Sequence, residues 1–257
     1  MAEHRTTTAD PAPDPLELLE AEIEVIWGPS RRTTEAPPSV VVAVSGDRLL
    51  IEGRHDLDRQ LVREIAATAR DQPPPLIIGL VQGHLRRALG PLEITVGPGY
   101  DCAAPAAQPD PVRGRLIRSD GADVDLDRLQ VPPTWEEPDW RQLLDGRYGP
   151  WAMIIEGARV LSLCHSARVA PAGVEAGTWT AADARGLGLA AVATAAWADA
   201  CRELPGHIFY STDANNQSSQ RVAARLGLPL LGQLWKLRPA DEGDGPPDGR
   251  LSVIARR

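Results

Sequence analysis

Arg185-Gly186-Leu187-Gly188-Leu189-Ala190 is the stretch of this 257-residue chain whose residue types and spacing carry the clearest chemistry. Gly186 and Gly188 let the backbone turn tightly and admit a ligand with no Cβ in the way. The stretch follows a strand pattern and opens an Ala-rich helical one. The free N–H groups of a first helical turn, with the helix dipole behind them, hold an anion such as a diphosphate. Arg185 adds a fixed positive charge. Two other glycine loops fit less well. A dinucleotide-binding loop needs a third glycine in an early parallel βαβ unit, and a nucleotide-triphosphate loop needs Gly-Lys-Ser/Thr. The third glycine is missing here and Lys236 is the only lysine of the chain. The plain alternative is a helix start that uses glycine for packing alone.

Glu175 is the second residue type of interest. It lies in the apolar run Gly173–Thr180, where strand alternation puts Glu175, Gly177 and Trp179 on one face. A carboxylate in a central strand is either a functional group or a structural one held by a neighbouring strand. Cys164 and His165 adjoin each other, but without a partner at a known spacing they read as a core thiol and a hydrogen-bonded strand histidine. Cys102, Cys164 and Cys201 form no CxxC pair, and no metal is expected. Trp135, Trp140, Tyr148 and Trp151 cluster in sequence, as core or as an aromatic wall.

These residues need elements to place them. Residues 1–15 are polar and Pro-rich, a disordered tail. A helix starts at Pro15, with Leu16, Leu19, Ile23 and Ile26 on one face. Segment 29–38 is a loop. Ser39–Val44 and Arg48–Gly53 are strands about a Ser45-Gly46-Asp47 turn. His55–Arg70 is a helix stopped by prolines 73–75, Leu76–Leu80 and Leu92–Val96 are strands, and Gly83–Leu89 is a short helix between them. A Pro/Ala-rich linker at 101–111 marks a boundary between a domain at 16–105 and another at 112–257. The second domain reads strand Arg113–Ser119, helices Asp123–Leu129 and Thr134–Asp145, and strands Trp151–Glu156, Arg159–Val169 and Gly173–Thr180. It continues with helix Gly186–Glu203, strand His207–Thr212, helix Asn215–Leu226, strand Leu228–Leu237, an acidic loop at 239–249 and strand Arg250–Ala255.

The net charge of −8 argues against general nucleic-acid binding, which depends on neutralising phosphates, and mildly favours a cationic acceptor. No apolar run approaches the ~20 residues of a membrane span, and the N-terminus lacks the apolar core of a secretory signal, so a cytoplasmic protein with no membrane partner is expected.

The stretches GVEAGTWTAADARGLGLAAVATAAWA and HIFYSTDANNQSSQRVAARLGL resemble the GNAT superfamily of acyl-CoA-dependent N-acetyltransferases, over about Val112–Arg257. Arg185, Gly188 and Ala190 fit its phosphate loop, and Asn216 with Leu226-Gly227 fits its next landmark. The resemblance implies an α/β fold with a mixed, mostly antiparallel sheet flanked by helices. It leaves 16–105 either a degenerate half of the same kind or an unrelated α/β cap. It implies acetyl-CoA as cosubstrate, with Arg185, Gly186, Leu187, Gly188, Leu189 and Ala190 around the diphosphate. Thr178, Trp179 and Thr180 would line the pantetheine arm between two strands that splay apart, with Asn216 and Ser219 nearby. The implied reaction is direct attack by a primary amine, of a small molecule, on the acetyl group, with Glu175 as base. The family's usual tyrosine acid falls at Ala223, which leaves Ser218 or Ser219, solvent or Tyr210 to protonate the sulfur. That departure keeps a non-catalytic acyl-CoA-binding module as the alternative. A homodimer is a further expectation.

Overall fold

The computed structural model describes residues 13–28, 37–108, 110–121, 124–240 and 251–257. Most of the expected tail, of loop 29–38 and of the acidic loop 239–249 lies outside the described residues.

Helix α1 (Pro15–Trp27) starts where Asp14 accepts the Leu16 amide at 3.0 Å and Pro15 occupies a first-turn position that needs no donor. It buries Leu16, Leu19, Ile23, Val25 and Trp27 together with one acid, Glu22. Strands β1 (Val40–Ser45) and β2 (Arg48–Arg54) form a hairpin closed by Gly46-Asp47, as the turn pattern predicts. Helix α2 (Arg59–Asp71) is capped by Asp58, whose carboxylate accepts the amides of Gln60 and Leu61.

The strand expected at Leu76–Leu80 is instead the start of a single helix, α3 (Pro74–Leu89). Ile77, Val81 and Leu85 are fully buried while Leu76 and Leu80 are exposed. Burial repeats every four residues, and in a short apolar run the period cannot be read from composition. Pro74 sits in the first turn, where proline opens a helix rather than stopping one.

Strand β3 (Leu92–Asp101) extends the expected Leu92–Val96. The rest follows the expected order closely: β4 (Arg115–Arg118), α4 (Glu137–Leu144), β5 (Trp151–Glu156), β6 (Arg159–Ala170), β7 (Gly173–Thr180), α5 (Leu189–Ala200), β8 (His207–Ser211), α6 (Gln217–Leu226), β9 (Leu230–Pro239) and β10 (Leu251–Arg256). In place of the helix Asp123–Leu129 there is one 3₁₀ turn, Leu126–Arg128.

All these strands form one ten-stranded sheet in the order β10-β2-β1-β9-β3-β8-β7-β6-β5-β4. Every pairing is antiparallel except β7 with β8. The fold is therefore the expected mixed, mostly antiparallel sheet flanked by helices. Strand alternation puts α1 and α4 on one face and α2, α3, α5 and α6 on the other. Hydrogen bonding runs straight across the expected boundary at 101–111. β3 lies between β8 and β9, and β9 lies between β3 and β1.

A fragment beginning at residue 112 would leave β9 with neither neighbour and β8 with a bare edge. Unpaired edges and an uncovered apolar face do not sustain a cooperative fold. The fragment 112–257 is expected to give no cooperative thermal transition where the full chain gives one. A sharp melt of the isolated fragment, followed by circular dichroism, would show that the two parts are independent.

Candidate active site

β7 and β8 run parallel only over Gly173–Glu175 against His207–Phe209. Beyond that register they part. Residues 176–180 of β7 stay paired with β6 on the other side, Cys164 opposite Thr178 and Leu163 opposite Trp179. A gap therefore opens toward the C-terminal ends of both strands.

Glu175 sits at the closed end of this gap. Its Oε1 accepts the Ser211 amide at 2.8 Å, a bond that a strand carbonyl would take if the pairing continued, and the Ser211 hydroxyl at 2.7 Å. Its Oε2 is buried without a hydrogen-bond partner, and the residue is 6% exposed. Burial pushes its carboxyl up to about 7, against the pull of the two Ser211 hydrogen bonds and of Arg168, which lies directly across on β6.

The open end of the gap leads to the glycine stretch. Gly186 and Gly188 both have positive φ, 78° and 77°, a conformation that costs other residues. Gly188 is the residue before α5, so its turn aims the first N–H groups of that helix outward. A cavity of about 390 Å³ lies there, between the start of α5 and one side of α6. Thr180, Gly186, Gly188 and Ala190 line it, with Arg185, Arg221 and Arg225 around it. A Cβ on Gly188 would stand 2.3 Å from the Arg225 guanidinium, so the glycine is also what lets that cation approach the helix start. Arg225 is steadied by Gln108, which accepts from Nε at 3.0 Å. Arg221 and Arg225 were not singled out from the sequence. They recur at helical spacing in α6, and only the packing of α6 on α5 turns them toward the glycine stretch.

The remaining expected residues divide. Leu187 is exposed and Leu189 is buried under α5. Thr178 is exposed at the gap, Trp179 is half-buried, and the Thr180 and Ser162 hydroxyls are 2.9 Å apart. Asn216 accepts the Ser219 amide at 3.1 Å and so caps α6. Ser219 contributes its carbonyl to the Tyr210 hydroxyl at 3.3 Å. That phenol reaches from β8 toward Thr178, and burial raises it to about 12, so it keeps its proton at neutral pH. Cys164 is wholly buried, and burial pushes its thiol well up, which makes it inert. His165 packs edge-on against Trp135, ring centres 4.9 Å apart, on the Glu175 face of the sheet. Trp140 and Trp151 are core, and Trp135 with Tyr148 packs at its margin. No group of His, Cys, Asp and Glu able to hold a metal ion occurs among the described residues, and none of their helices is long and apolar enough to cross a membrane.

No curated protein matches the sequence significantly. Among solved structures, a GCN5-related N-acetyltransferase from Kribbella flavida is 13% identical, over 93% of this chain and 100% of its own, with a TM-score of 0.45. A GCN5-related N-acetyltransferase-like protein from Streptococcus suis is 17% identical, over 86% and 99%, with a TM-score of 0.43. An acetyltransferase from the GNAT family of Colwellia psychrerythraea is 12% identical with a TM-score of 0.43. The match covers 61% of this chain, which spans 60% of that protein's length. The family model described as "Acetyltransferase (GNAT) domain" matches residues 121–229, a segment holding β5 to β8, the glycine stretch and α6. Over those residues the chain matches the GNAT acetyltransferase family.

Proposed function

We propose that the protein is an N-acetyltransferase that moves an acetyl group from acetyl-CoA to a primary amine of a small molecule within a ternary complex. The observation that carries this reading is the gap between β7 and β8, with an arginine-ringed helix start at one end and a buried carboxyl at the other. The diphosphate of CoA is assigned to the first turn of α5, with Arg185, Arg221 and Arg225 supplying charge. The pantetheine arm is assigned to the β7 edge at Thr178–Thr180, which has no strand partner on the β8 side.

In the reaction the amine nitrogen bonds to the acetyl carbon and the carbon–sulfur bond breaks. The amine must first lose a proton. Glu175 takes it through a water, because at 6% exposure the carboxylate does not meet a substrate directly. The departing sulfur takes a proton from the Ser219 hydroxyl, or from Tyr210, which at 2% exposure would act through a water as Glu175 does. We read the protein as cytoplasmic, and its charge of −8 suits a cationic amine better than a nucleic acid. A second reading, a module that binds acyl-CoA without turnover, draws on Ala223 in the usual tyrosine position and on the deep burial of Glu175. Thiol release across a panel of amines separates the two. Binding of CoA with no turnover on any amine favours the module.

Ala190→Glu tests the diphosphate seat. Ala190 is in the first turn of α5, where a carboxylate favours the helix dipole but would stand in the cavity. Thermal stability is expected to hold while CoA affinity falls tenfold or more, ~1.4 kcal/mol. Unchanged affinity by calorimetry would put the cosubstrate elsewhere.

Glu175→Gln tests the base. The wild-type rate is expected to rise with pH through about 7, since the ionised carboxylate is the active form. In the variant that limb disappears and the rate falls by roughly 10²–10⁴ with CoA affinity kept. Near-normal turnover across pH in a stable Glu175→Gln protein would remove Glu175 from the mechanism.

A further inference from the structure

Helix α1 carries one acid on its buried face. Glu22 is 0% exposed, and neither of its carboxyl oxygens has a hydrogen-bond partner among the described residues. It points at the closed end of the β7–β8 gap. A Cβ on Gly99 would lie 2.3 Å from its Oε2, and Gly99 is the β3 residue paired with Ser211. The missing side chain at Gly99 is the space that admits the Glu22 carboxyl. Ser211 is the residue whose amide and hydroxyl both go to Glu175. Two buried carboxyls thus flank one serine.

Two carboxylates this close, out of water, do not both ionise, so the pair holds one proton between them. The surroundings decide which member keeps it. Glu175 accepts both the amide and the hydroxyl of Ser211 and lies opposite Arg168, whereas Glu22 faces only the Ser211 hydroxyl and has no hydrogen bond of good geometry. Lys236 of β9 favours charge on both. Glu52 of β2 interacts with Glu20 and Glu24 on the same helix. The negative charge therefore settles on Glu175 and the proton on Glu22. Burial and the charge of Glu175 push the Glu22 carboxyl well above the usual carboxylate range, in the same direction.

We infer that Glu22, from the part of the chain outside the matched domain, is a positioning residue for Glu175: a neutral carboxylic acid that donates toward the Ser211–Glu175 unit and keeps Glu175 in its ionised, proton-accepting form. The inference rests on the reading of Glu175 as the base. It assigns α1 a part in the chemistry besides covering the sheet.

Infrared spectroscopy on the full chain decides the protonation without using activity. At a pH well above 7, where Glu175 and Glu52 are ionised, a protonated-carboxyl band is expected in the wild type, lost in Glu22→Gln and retained in Glu175→Gln. A band that survives Glu22→Gln but vanishes in Glu175→Gln would put the proton on Glu175 and overturn the inference.

The pH dependence of kcat/KM supplies the second readout. Gln mimics the neutral acid and keeps a donor, so Glu22→Gln should leave the limb near pH 7 in place. Leu fills the same space with no donor, so Glu22→Leu should move the limb to higher pH by about one unit, a tenfold lower rate below it, with the plateau kept. An ionised Glu22 predicts the reverse, both variants losing a like charge and moving the limb to lower pH. If Glu175→Gln keeps its activity the base assignment fails, while the infrared result on Glu22 still stands.

Discussion

The capture of the Ser211 amide and hydroxyl by Glu175 is the contact on which the site depends. Two parallel strands that continue side by side satisfy each other's backbone groups. Where they part, those groups must find other partners or water. Here a side chain of one strand takes the amide of the other at the last point of contact, so the strands can diverge without leaving that donor bare in the core. A carboxylate serves because it accepts more than one hydrogen bond at one oxygen. The interaction that ends the pairing therefore also places a titratable group at the bottom of the gap.

The far side of the gap is built from sequence-distant pieces. β8 is held in place by β3, and β3 by β9, so the strand that faces the open edge of β7 is braced by residues from before and after the family domain. The Gly99–Ser211 pairing does more than close the sheet, because it also lets α1 bring Glu22 to the serine. Covering the sheet face and shaping the carboxyl pair are two consequences of one packing event.

The C-terminal elements were legible because their signals are local. Glycine-bearing turns separate β5, β6 and β7, strand runs of six to twelve residues are rich in β-branched and apolar types, and the glycine stretch meets a long alanine helix. Fold and family followed from the same stretch. Less legible was anything set by distant pairing. The linker composition at 101–111 is genuine, yet no local signal tells that β3, just before it, inserts between β8 and β9. Leu76–Leu80 failed for a different reason, since a short run of four apolar residues and a glycine fits either period until burial is known. Asn216 matched a landmark by position, and the structure gives its side chain a capping bond to Ser219. Glu22 was hidden by its setting, because an acid in LELLEAEIEVIW reads as the polar face of an amphipathic helix.

The charges of the site are arranged in opposition along the gap. At the mouth, three arginines gather at a helix start whose dipole already favours anions, despite the chain's net charge of −8. At the base, two carboxyls, Glu22 and Glu175, are buried side by side about Ser211. An elongated donor with an anionic end and a neutral acyl end would meet the arginines first and leave its acyl group nearest the carboxyl. The same polarity would draw a cationic acceptor of the proposed kind toward Glu175 and away from the arginines. Orientation then follows from the field, and the contacts need only fix the last few ångströms. Reversing either end would cost more than its local contact, because the other end would then favour the wrong part of each reactant.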